Sequence, residues 1–213
     1  MEFIASIKAI LPWFIRAGNY LRLKYYYRAD WEVFRPWREH FKVELRVDSK
    51  RGLITHATPF VGFDDQLTSC MEHLIQGEPV VLVSAAPGCG KSRFALELAR
   101  KLGKHESLWE CFFVGHDLAR ATASIRKLRK VRRIVLFIDD AHKCPDLADR
   151  LAKVARESEG RHSLHVVCLC RLSLLHVLTS RIKGGISRVE LGNLGVDQLS
   201  EIIQAKKRRL STS

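Results

Sequence analysis

Apolar runs alternate with longer amphipathic stretches from residue 79 almost to the C-terminus. The runs predict buried strands, and the stretches between them predict helices. The predicted strands are Pro79–Ser84, Leu108–Val114, Arg133–Ile138, Leu164–Leu169 and Ser187–Leu191, and the predicted helices lie near 91–102, 117–130, 145–158, 172–181 and 196–208. Strands that alternate with helices are typical of a parallel sheet covered on both faces. The sequence therefore predicts an α/β fold, a three-layer αβα sandwich with about five parallel strands.

The composition changes near residue 52. The first 52 residues hold all four tyrosines and three of the four tryptophans. Apolar residues from Phe3 to Ile15 recur at helical spacing around Pro12, which predicts a mainly helical segment kinked at the proline. This segment either packs on its own domain or a partner, or lies on a membrane surface. The predicted organisation is an aromatic, basic segment (1–52), an entry loop and helix (53–78), a core (79–208) and a tail (209–213).

The first predicted strand of the core runs directly into a glycine-containing loop. The loop reads Ala85-Ala86-Pro87-Gly88-Cys89-Gly90-Lys91-Ser92. It fits the phosphate-loop (Walker A) pattern G-x-x-x-x-G-K-[ST], except that Ala85 replaces the first glycine. Gly88 and Gly90 allow a tight turn that points backbone N–H groups at phosphate oxygens, at the start of a helix. Lys91 is expected to bridge the β- and γ-phosphates of ATP, and the Ser92 hydroxyl to bind Mg²⁺.

Two acidic residues follow the third predicted strand, as in a Walker B motif. Asp139 and Asp140 come directly after Ile138, at the edge of the sheet where ligands bind in open α/β folds. We expect Asp139 to hold Mg²⁺, directly or through water, and Asp140 to orient or deprotonate the attacking water. The alternative is that the pair caps the next helix. We expect Arg171, at the end of the fourth predicted strand, to reach the γ-phosphate.

These motifs, in this order, resemble the STAND branch of the AAA-like P-loop ATPases, which belong to the ASCE class. The resemblance covers roughly residues 58–205 and is carried by the segments Thr58-Pro59-Phe60-Val61-Gly62, Gly90-Lys91-Ser92-Arg93-Phe94-Ala95, Ile138-Asp139-Asp140-Ala141-His142, Val167-Cys168-Leu169-Cys170-Arg171 and Val189-Glu190-Leu191-Gly192-Asn193-Leu194. One departure is Phe63, where the family usually has arginine after the F-V-G triplet.

The resemblance implies both an architecture and a mode of action. It implies that the Arg171 strand lies between the phosphate-loop strand and the Asp139 strand, and that the loop at Phe60 packs near the adenine. It implies an ATPase that acts as a switch in signalling or defence, held closed by ADP and released to self-associate by ATP. The lid and winged-helix modules of the family would follow Ser213, so the resemblance implies either a fragment or a minimal ATPase that needs a partner chain.

The predicted site can be stated by role. Residues expected to contact ATP or ADP are Phe60, Val61, Gly62, Ala86, Pro87, Gly88, Cys89, Gly90, Lys91, Ser92 and Arg93. Residues expected to act in hydrolysis are Asp140, Lys91 and Arg171, and the expected Mg²⁺ ligands are Ser92 and Asp139.

The charge of the chain keeps a second function open. The net charge is +13 and the sequence pI is near 9.8, which suits nucleic acid or an anionic membrane surface, although it also suits a solvated surface. A basic run lies between the second and third strands, at Arg120, Arg126, Lys127, Arg129, Lys130, Arg132 and Arg133. The alternatives to a switch are an AAA-like ATPase acting on nucleic acid, such as a loader or transposition helper, and a nucleotide-binding scaffold without turnover.

The cysteines and the apolar runs bear on the location of the protein. Six cysteines show no regular spacing, and Cys168 and Cys170 sit in an apolar run where buried thiols are expected. No apolar run reaches the roughly 18 residues needed to cross a bilayer. Both observations favour a cytoplasmic protein.

Overall fold

The computed structural model describes residues 34–37, 60–105, 109–128, 133–158 and 163–210, and the strands within these ranges form one sheet. The strands are β1 (Phe34–Pro36), β2 (Val80–Ala85), β3 (Glu110–Val114), β4 (Ile134–Ile138), β5 (Leu164–Arg171) and β6 (Ser187–Leu191). Their order across the sheet is β1-β3-β4-β5-β2-β6. Strands β2 to β6 pair in parallel, and β1 pairs with β3 in the antiparallel sense.

The helices lie between these strands and after the last one, as the sequence predicts. They are α1 (Asp64–Ile75), α2 (Lys91–Lys104), α3 (Leu118–Leu128), α4 (Pro145–Arg156), α5 (Leu175–Arg181) and α6 (Val196–Leu210), with short 3-10 turns at Ala141–Lys143 and Leu172–Leu174. Their ends follow ordinary helix chemistry. In α4, for example, Pro145 occupies the first turn with Asp146, and Lys153 and Arg156 lie in the last turn, where a cation suits the helix dipole.

Alternate residues of each strand feed two separate cores, one on each face of the sheet. The buried even-numbered residues of the strands, such as Leu82, pack against α3, α4 and α5. The buried odd-numbered residues, such as Val83, pack against α1 and α2. This follows from the two-residue period of a strand. The predicted three-layer αβα fold is therefore confirmed, and so is the position of the Arg171 strand, β5, between β4 and β2.

Strand β1 was not predicted from the sequence. It is three residues long, too short to show alternation, and it contains Pro36, which a central strand would not accommodate. At the edge of the sheet the proline is tolerated. Phe34 is fully buried, and the indole of Trp37 lies against Gly103 at the end of α2. Residues 34–37 of the aromatic N-terminal segment thus join the core.

Other predictions for this segment lie outside the described residues. The kinked helix at residues 3–15 is one of them. Of the predicted tail (209–213), the first two residues belong to α6, which ends at Leu210, and residues 211–213 lie outside the described ranges. In the described ranges, none of the helices combines the length and the apolar character that crossing a membrane would take.

The cysteines behave as the sequence predicts. All six are free, and Cys168 and Cys170 are fully buried on the same face of β5. Burial raises the pKa of the Cys170 thiol to about 11, so it stays protonated at neutral pH.

Candidate nucleotide-binding site

The loop between β2 and α2 has the backbone of an anion-binding turn. Gly88 has a φ of 80° and Gly90 a φ of 82°, a left-handed conformation that glycine adopts without steric penalty. A Cβ added at either position would meet no atom within 4 Å, so the backbone conformation and not crowding requires glycine there. Helix α2 begins at Lys91, and its first N–H groups have no partner within the helix. The loop is therefore suited to hold a phosphate.

Lys91 lies over this loop. Its side chain is 9% exposed, and its Nζ donates a hydrogen bond of 3.2 Å to the carbonyl oxygen of Ala86. The ammonium group is thus held at the loop by a neutral acceptor. A phosphate oxygen would be a stronger acceptor, because charge-assisted hydrogen bonds are about twice as strong as neutral ones.

The next residue connects the loop to the carboxyl end of β4. The Ser92 hydroxyl donates a hydrogen bond of 2.6 Å to Oδ2 of Asp139, which is 47 residues away in the sequence. The other carboxylate oxygen, Oδ1, accepts the backbone N–H of Asp140 at 2.9 Å. The main-chain oxygen of Asp139 lies 2.8 Å from Nε2 of His116, which follows β3. The carboxylate is therefore held by the start of α2 and by the backbone that follows β4, while His116 holds the main chain of the same residue.

The donor set fits Mg²⁺. Hydroxyl and carboxylate oxygens are the hard ligands this cation prefers, and Mg²⁺ is usually held by one or two such groups together with phosphates and water. Throughout the described ranges, no group of three or more His, Cys, Asp or Glu side chains forms a self-sufficient metal site. A cation at Ser92 and Asp139 would accordingly need the phosphates of a nucleotide to complete its coordination.

Asp140 has a strained backbone. Its φ of 46° and ψ of 43° place it in the left-handed region, and among the described residues it is the only one other than glycine with a positive φ. Such conformations tend to occur at functional sites. Asp140 precedes the 3-10 turn, but its side chain makes no capping hydrogen bond. The alternative interpretation of the acidic pair as a helix cap therefore does not hold for Asp140.

The Asp140 carboxylate is instead paired with Lys143, whose Nζ lies 2.5 Å from Oδ2. This hydrogen bond lowers the pKa of Asp140 against an opposing effect of burial, and the charges of Lys143, His142 and Arg171 lower it further. The carboxylate is therefore ionised at neutral pH. It can accept hydrogen bonds but is a weak base.

Arg171 and His142 belong to the same electrostatic environment. Arg171 ends β5, is exposed, and is in register with Ala85 at the start of the loop. Burial lowers the pKa of His142; Asp140 opposes this, and the charges of Arg171, Lys143 and Lys91 reinforce it. Its Nδ1 is buried and has no hydrogen-bond partner within the described part of the chain. A neutral histidine thus lies beside three cations.

On the other side of the loop, residues 60–63 pack against the first turn of α2. The ring of Phe60 lies 6.4 Å from that of Phe94 and 6.3 Å from that of Phe63, and the Arg93 guanidinium lies 6.0 Å from the centre of the Phe60 ring. Phe63 is only 4% exposed. Phe63 is thus a core residue.

The remaining predicted residues of the site are exposed or partly buried. Pro87 and Gly88 are exposed, whereas Ala86, Cys89, Val61 and Gly62 are partly buried. Of the basic run between β3 and β4, the side chains of residues 126–132 lie outside what the structure describes.

Sequence reasoning assigned no role to two residues that contact the site. His116 gives no sequence signal beyond its place after a strand, and its contact is with a main-chain oxygen. Asn193 follows β6, and its Oδ1 accepts a hydrogen bond of 3.6 Å from the Cys89 thiol in the loop. Both lie at the carboxyl edge of the sheet, which is the only general signal that could have selected them.

Comparisons with known proteins bear on the fold of the chain. No protein-family model matches the chain, and no curated protein matches it. Among solved structures, the chain is similar to Hsp104 in a closed state with ATPγS and casein, with a TM-score of 0.58 and 18% sequence identity. Two RuvB variants from Thermotoga maritima each have a TM-score of 0.52, with 22% and 23% identity.

These likenesses are partial in length. The match with Hsp104 covers 78% of this chain but 33% of that one, and the RuvB matches cover 72% of this chain and 55% of those. Both neighbours are AAA+ ATPases of the P-loop class. At this level of identity the likeness concerns the fold, and the fold of this chain is that of a P-loop NTPase.

Proposed function

We propose that this protein binds Mg-ATP and hydrolyses it, and that it acts as a nucleotide-dependent switch of the STAND type. The observation that carries the proposal is the 2.6 Å contact between Ser92, at the start of α2, and Asp139, at the end of β4. It brings a phosphate-binding loop and a cation-binding carboxylate together at one edge of a parallel sheet. Neither the helix start nor the acidic pair alone would suggest this.

Binding begins with the triphosphate at the loop. The N–H groups around Gly88 and Gly90 receive the phosphate oxygens, and Lys91 exchanges its acceptor, the Ala86 carbonyl, for a phosphate oxygen. Ser92 and Asp139 are the residues that would hold Mg²⁺, which supplies positive charge to the β- and γ-phosphates when bound. The terminal phosphate then lies on the β4 side of the loop, and the base extends towards β6 and Phe60.

Hydrolysis requires a positioned water molecule. Asp140 follows the cation-binding residue and has an ionised carboxylate of lowered pKa. Such a group accepts a hydrogen bond from the attacking water and orients it, which is the more suitable of the two roles considered for it. Lys143 must release the carboxylate first, and the approach of an anionic γ-phosphate to Lys143 would favour that release.

Arg171 would sense the γ-phosphate. Its place at the end of β5 puts it between the loop and the Asp139 strand, and its charge already acts on Asp140 and His142. Its contact with the γ-phosphate would be present with ATP and absent with ADP, and would so couple the state of the nucleotide to the conformation of the protein. In the proposed switch, ADP holds a closed state and ATP permits self-association or binding of a partner protein.

A second candidate function is an ATPase acting on nucleic acid. The net charge of +13 favours it, because a nucleotide neutralises only a few of these charges. The chain spans about half or less of the length of its structural neighbours. The action of the whole protein is therefore part of the proposal for either candidate function.

The proposal is tested by the binding of Mg-ATP to the wild type and to Lys91→Ala, measured by calorimetry. The loss of a charge-assisted hydrogen bond should weaken binding about a hundredfold. Lys183→Ala removes an exposed lysine from outside the site and is the matched control. A folded wild type without affinity for Mg-ATP, or a Lys91→Ala variant that binds as well as the wild type, would contradict it.

A further inference from the structure

The side chain of Gln198 connects the start of α6 to the loop at residues 60–62. Its Oε1 accepts the backbone N–H of Gly195 at 2.8 Å, and its Nε2 donates a long hydrogen bond of 3.4 Å to the carbonyl oxygen of Gly62. The first bond is the backward half of a capping box, in which the third helical residue binds the N-cap N–H. The second bond has no role in capping, and it reaches a residue 136 positions away.

Gly62 is in close contact with this side chain. A Cβ at Gly62 would come within 2.8 Å of Cδ and Nε2 of Gln198 and within 2.8 Å of Cδ2 of Leu194. The φ of Gly62 is +96°, which also requires glycine. The backbone of the loop therefore lies directly on the segment that begins α6, with no space for any other residue at position 62.

The opposite end of the same loop is fixed by α2. Phe60 packs on Phe94 and under Arg93, immediately after the residues that would hold the phosphates. The loop is thus supported from two directions, by α2 at Phe60 and by Gln198 at Gly62. Under the proposed function the base extends to this side of the site, since Asp139 and Arg171 occupy the other.

We propose that Gln198 is a positioning residue for the nucleoside part of the ligand, holding the 60–62 loop so that its backbone forms one wall of the base pocket. The inference rests on the proposed function. It deepens that function by assigning the triphosphate and the nucleoside to separate supports, the phosphate loop for the former and the bond from Gln198 to Gly62 for the latter.

The experiment compares two ligands, Mg-ATP and Mg-tripolyphosphate, by calorimetry on the wild type, Gln198→Ala and Gln198→Glu. Glutamate keeps an oxygen for the Gly195 N–H but cannot donate to the Gly62 carbonyl. Both variants should bind Mg-ATP about tenfold more weakly, as expected for one lost hydrogen bond, and should bind tripolyphosphate like the wild type. Gln204→Ala, an exposed glutamine of the same helix, is the matched control and should change neither affinity.

The outcomes separate a positioning role from a structural one. If Gln198 only caps α6, Gln198→Glu will bind Mg-ATP like the wild type, and the inference is wrong. It is also wrong if the affinity for tripolyphosphate falls together with that for Mg-ATP, since the phosphate loop would then be affected. A wild type that binds Mg-ATP while all variants match it rejects this inference alone, whereas a wild type that binds neither ligand rejects the proposed function as well.

Discussion

At the scale of single residues, Asp140 combines three features that rarely occur together. It has a left-handed backbone, an ion pair with Lys143 and a lowered pKa. A left-handed L-residue costs roughly 1–2 kcal/mol, a cost that glycine at this position would remove. The strain is therefore best explained by a need for the carboxylate, in addition to the turn.

Asp140→Asn tests that need with little effect on the fold, because asparagine also tolerates the left-handed region. We expect phosphate release to fall by about 10²–10⁴-fold, the usual contribution of a positioned acid–base group, with the affinity for Mg-ATP nearly unchanged. Asp149→Asn is a matched control, since Asp149 also pairs with a lysine, Lys153, but on the outer surface of α4. Retained affinity for Mg-ATP with no phosphate release from the wild type, unchanged in Asp140→Asn, would favour a nucleotide-binding scaffold without turnover. Substantial and equal release from both would contradict the role of Asp140.

His165 makes stability depend on pH at a distance from the site. It is 2% exposed at the start of β5, donates from Nδ1 to the Glu78 carbonyl at 2.7 Å, and packs edge-on against Trp109. Burial lowers its pKa from the usual 6.5, partly offset by the hydrogen bond to Glu78, and the charge of Arg133 lowers it further. The unfolded chain therefore binds a proton at higher pH than the folded one.

Because the pKa of His165 is lower in the folded state, the free energy of unfolding should decrease as the pH falls from about 6.5 towards that folded pKa. His165→Asn keeps an N–H donor for Glu78 but cannot titrate. Urea unfolding at several pH values should show a shallower loss in this variant than in the wild type, although its stability at neutral pH will also be lower because the ring contact with Trp109 is lost. Identical pH slopes would show that other groups, His142 among them, account for the acid sensitivity.

At the scale of elements, the turn between β2 and α2 depends on two glycines with positive φ and open space around them. Any effect of an alanine there must come from the backbone. Gly88→Ala and Gly90→Ala should each lower stability by about 1 kcal/mol, which corresponds to a decrease of about 2–4 °C in Tm for a domain of this size.

The same two variants should bind Mg-ATP at least tenfold more weakly, because the N–H groups of the loop would no longer point inward at the phosphates. A tenfold change corresponds to about 1.4 kcal/mol of binding free energy. Gly185→Ala is the control, since its added Cβ also meets no atom within 4 Å and its backbone is not left-handed. If Gly185→Ala loses as much stability and affinity as Gly88→Ala, the special role of the loop conformation is wrong.

Strands that form continuous apolar runs were predictable from the sequence. A strand that exists only because it pairs with a neighbouring strand was not. The four buried residues Val80–Val83 and the five of β4 are continuous apolar runs, which is the pattern of a parallel strand covered on both faces. Strand β1 has no such pattern, because pairing with β3 and burial of Phe34 create it.

The site shows the same division. The Ser92–Asp139 pair follows from two local motifs and the rule that parallel strands end at one edge. The His116, Asn193 and Gln198 contacts depend on which loops meet in space, and each involves a single polar side chain with no spacing pattern.

At the scale of the whole molecule, charge separates the two candidate functions. A net charge of +13 will attract DNA whether or not binding is functional, so affinity alone does not decide between them. Binding through six to ten phosphate contacts loses about 10³–10⁵ in affinity between 50 and 200 mM salt. What distinguishes the functions is whether this affinity depends on the nucleotide.

For a switch, we expect the Kd for a duplex oligonucleotide, measured by fluorescence anisotropy, to show this salt dependence and to be the same with Mg-ATP and Mg-ADP within about twofold. The physical reason is that a ligand shifts only equilibria in which the states bind it differently. The Asp140→Asn variant, kept in the ATP state, provides a stable comparison. A Kd that is at least tenfold lower with ATP than with ADP would mean a coupling of about 1.4 kcal/mol between the sites, and would favour an ATPase that acts on nucleic acid.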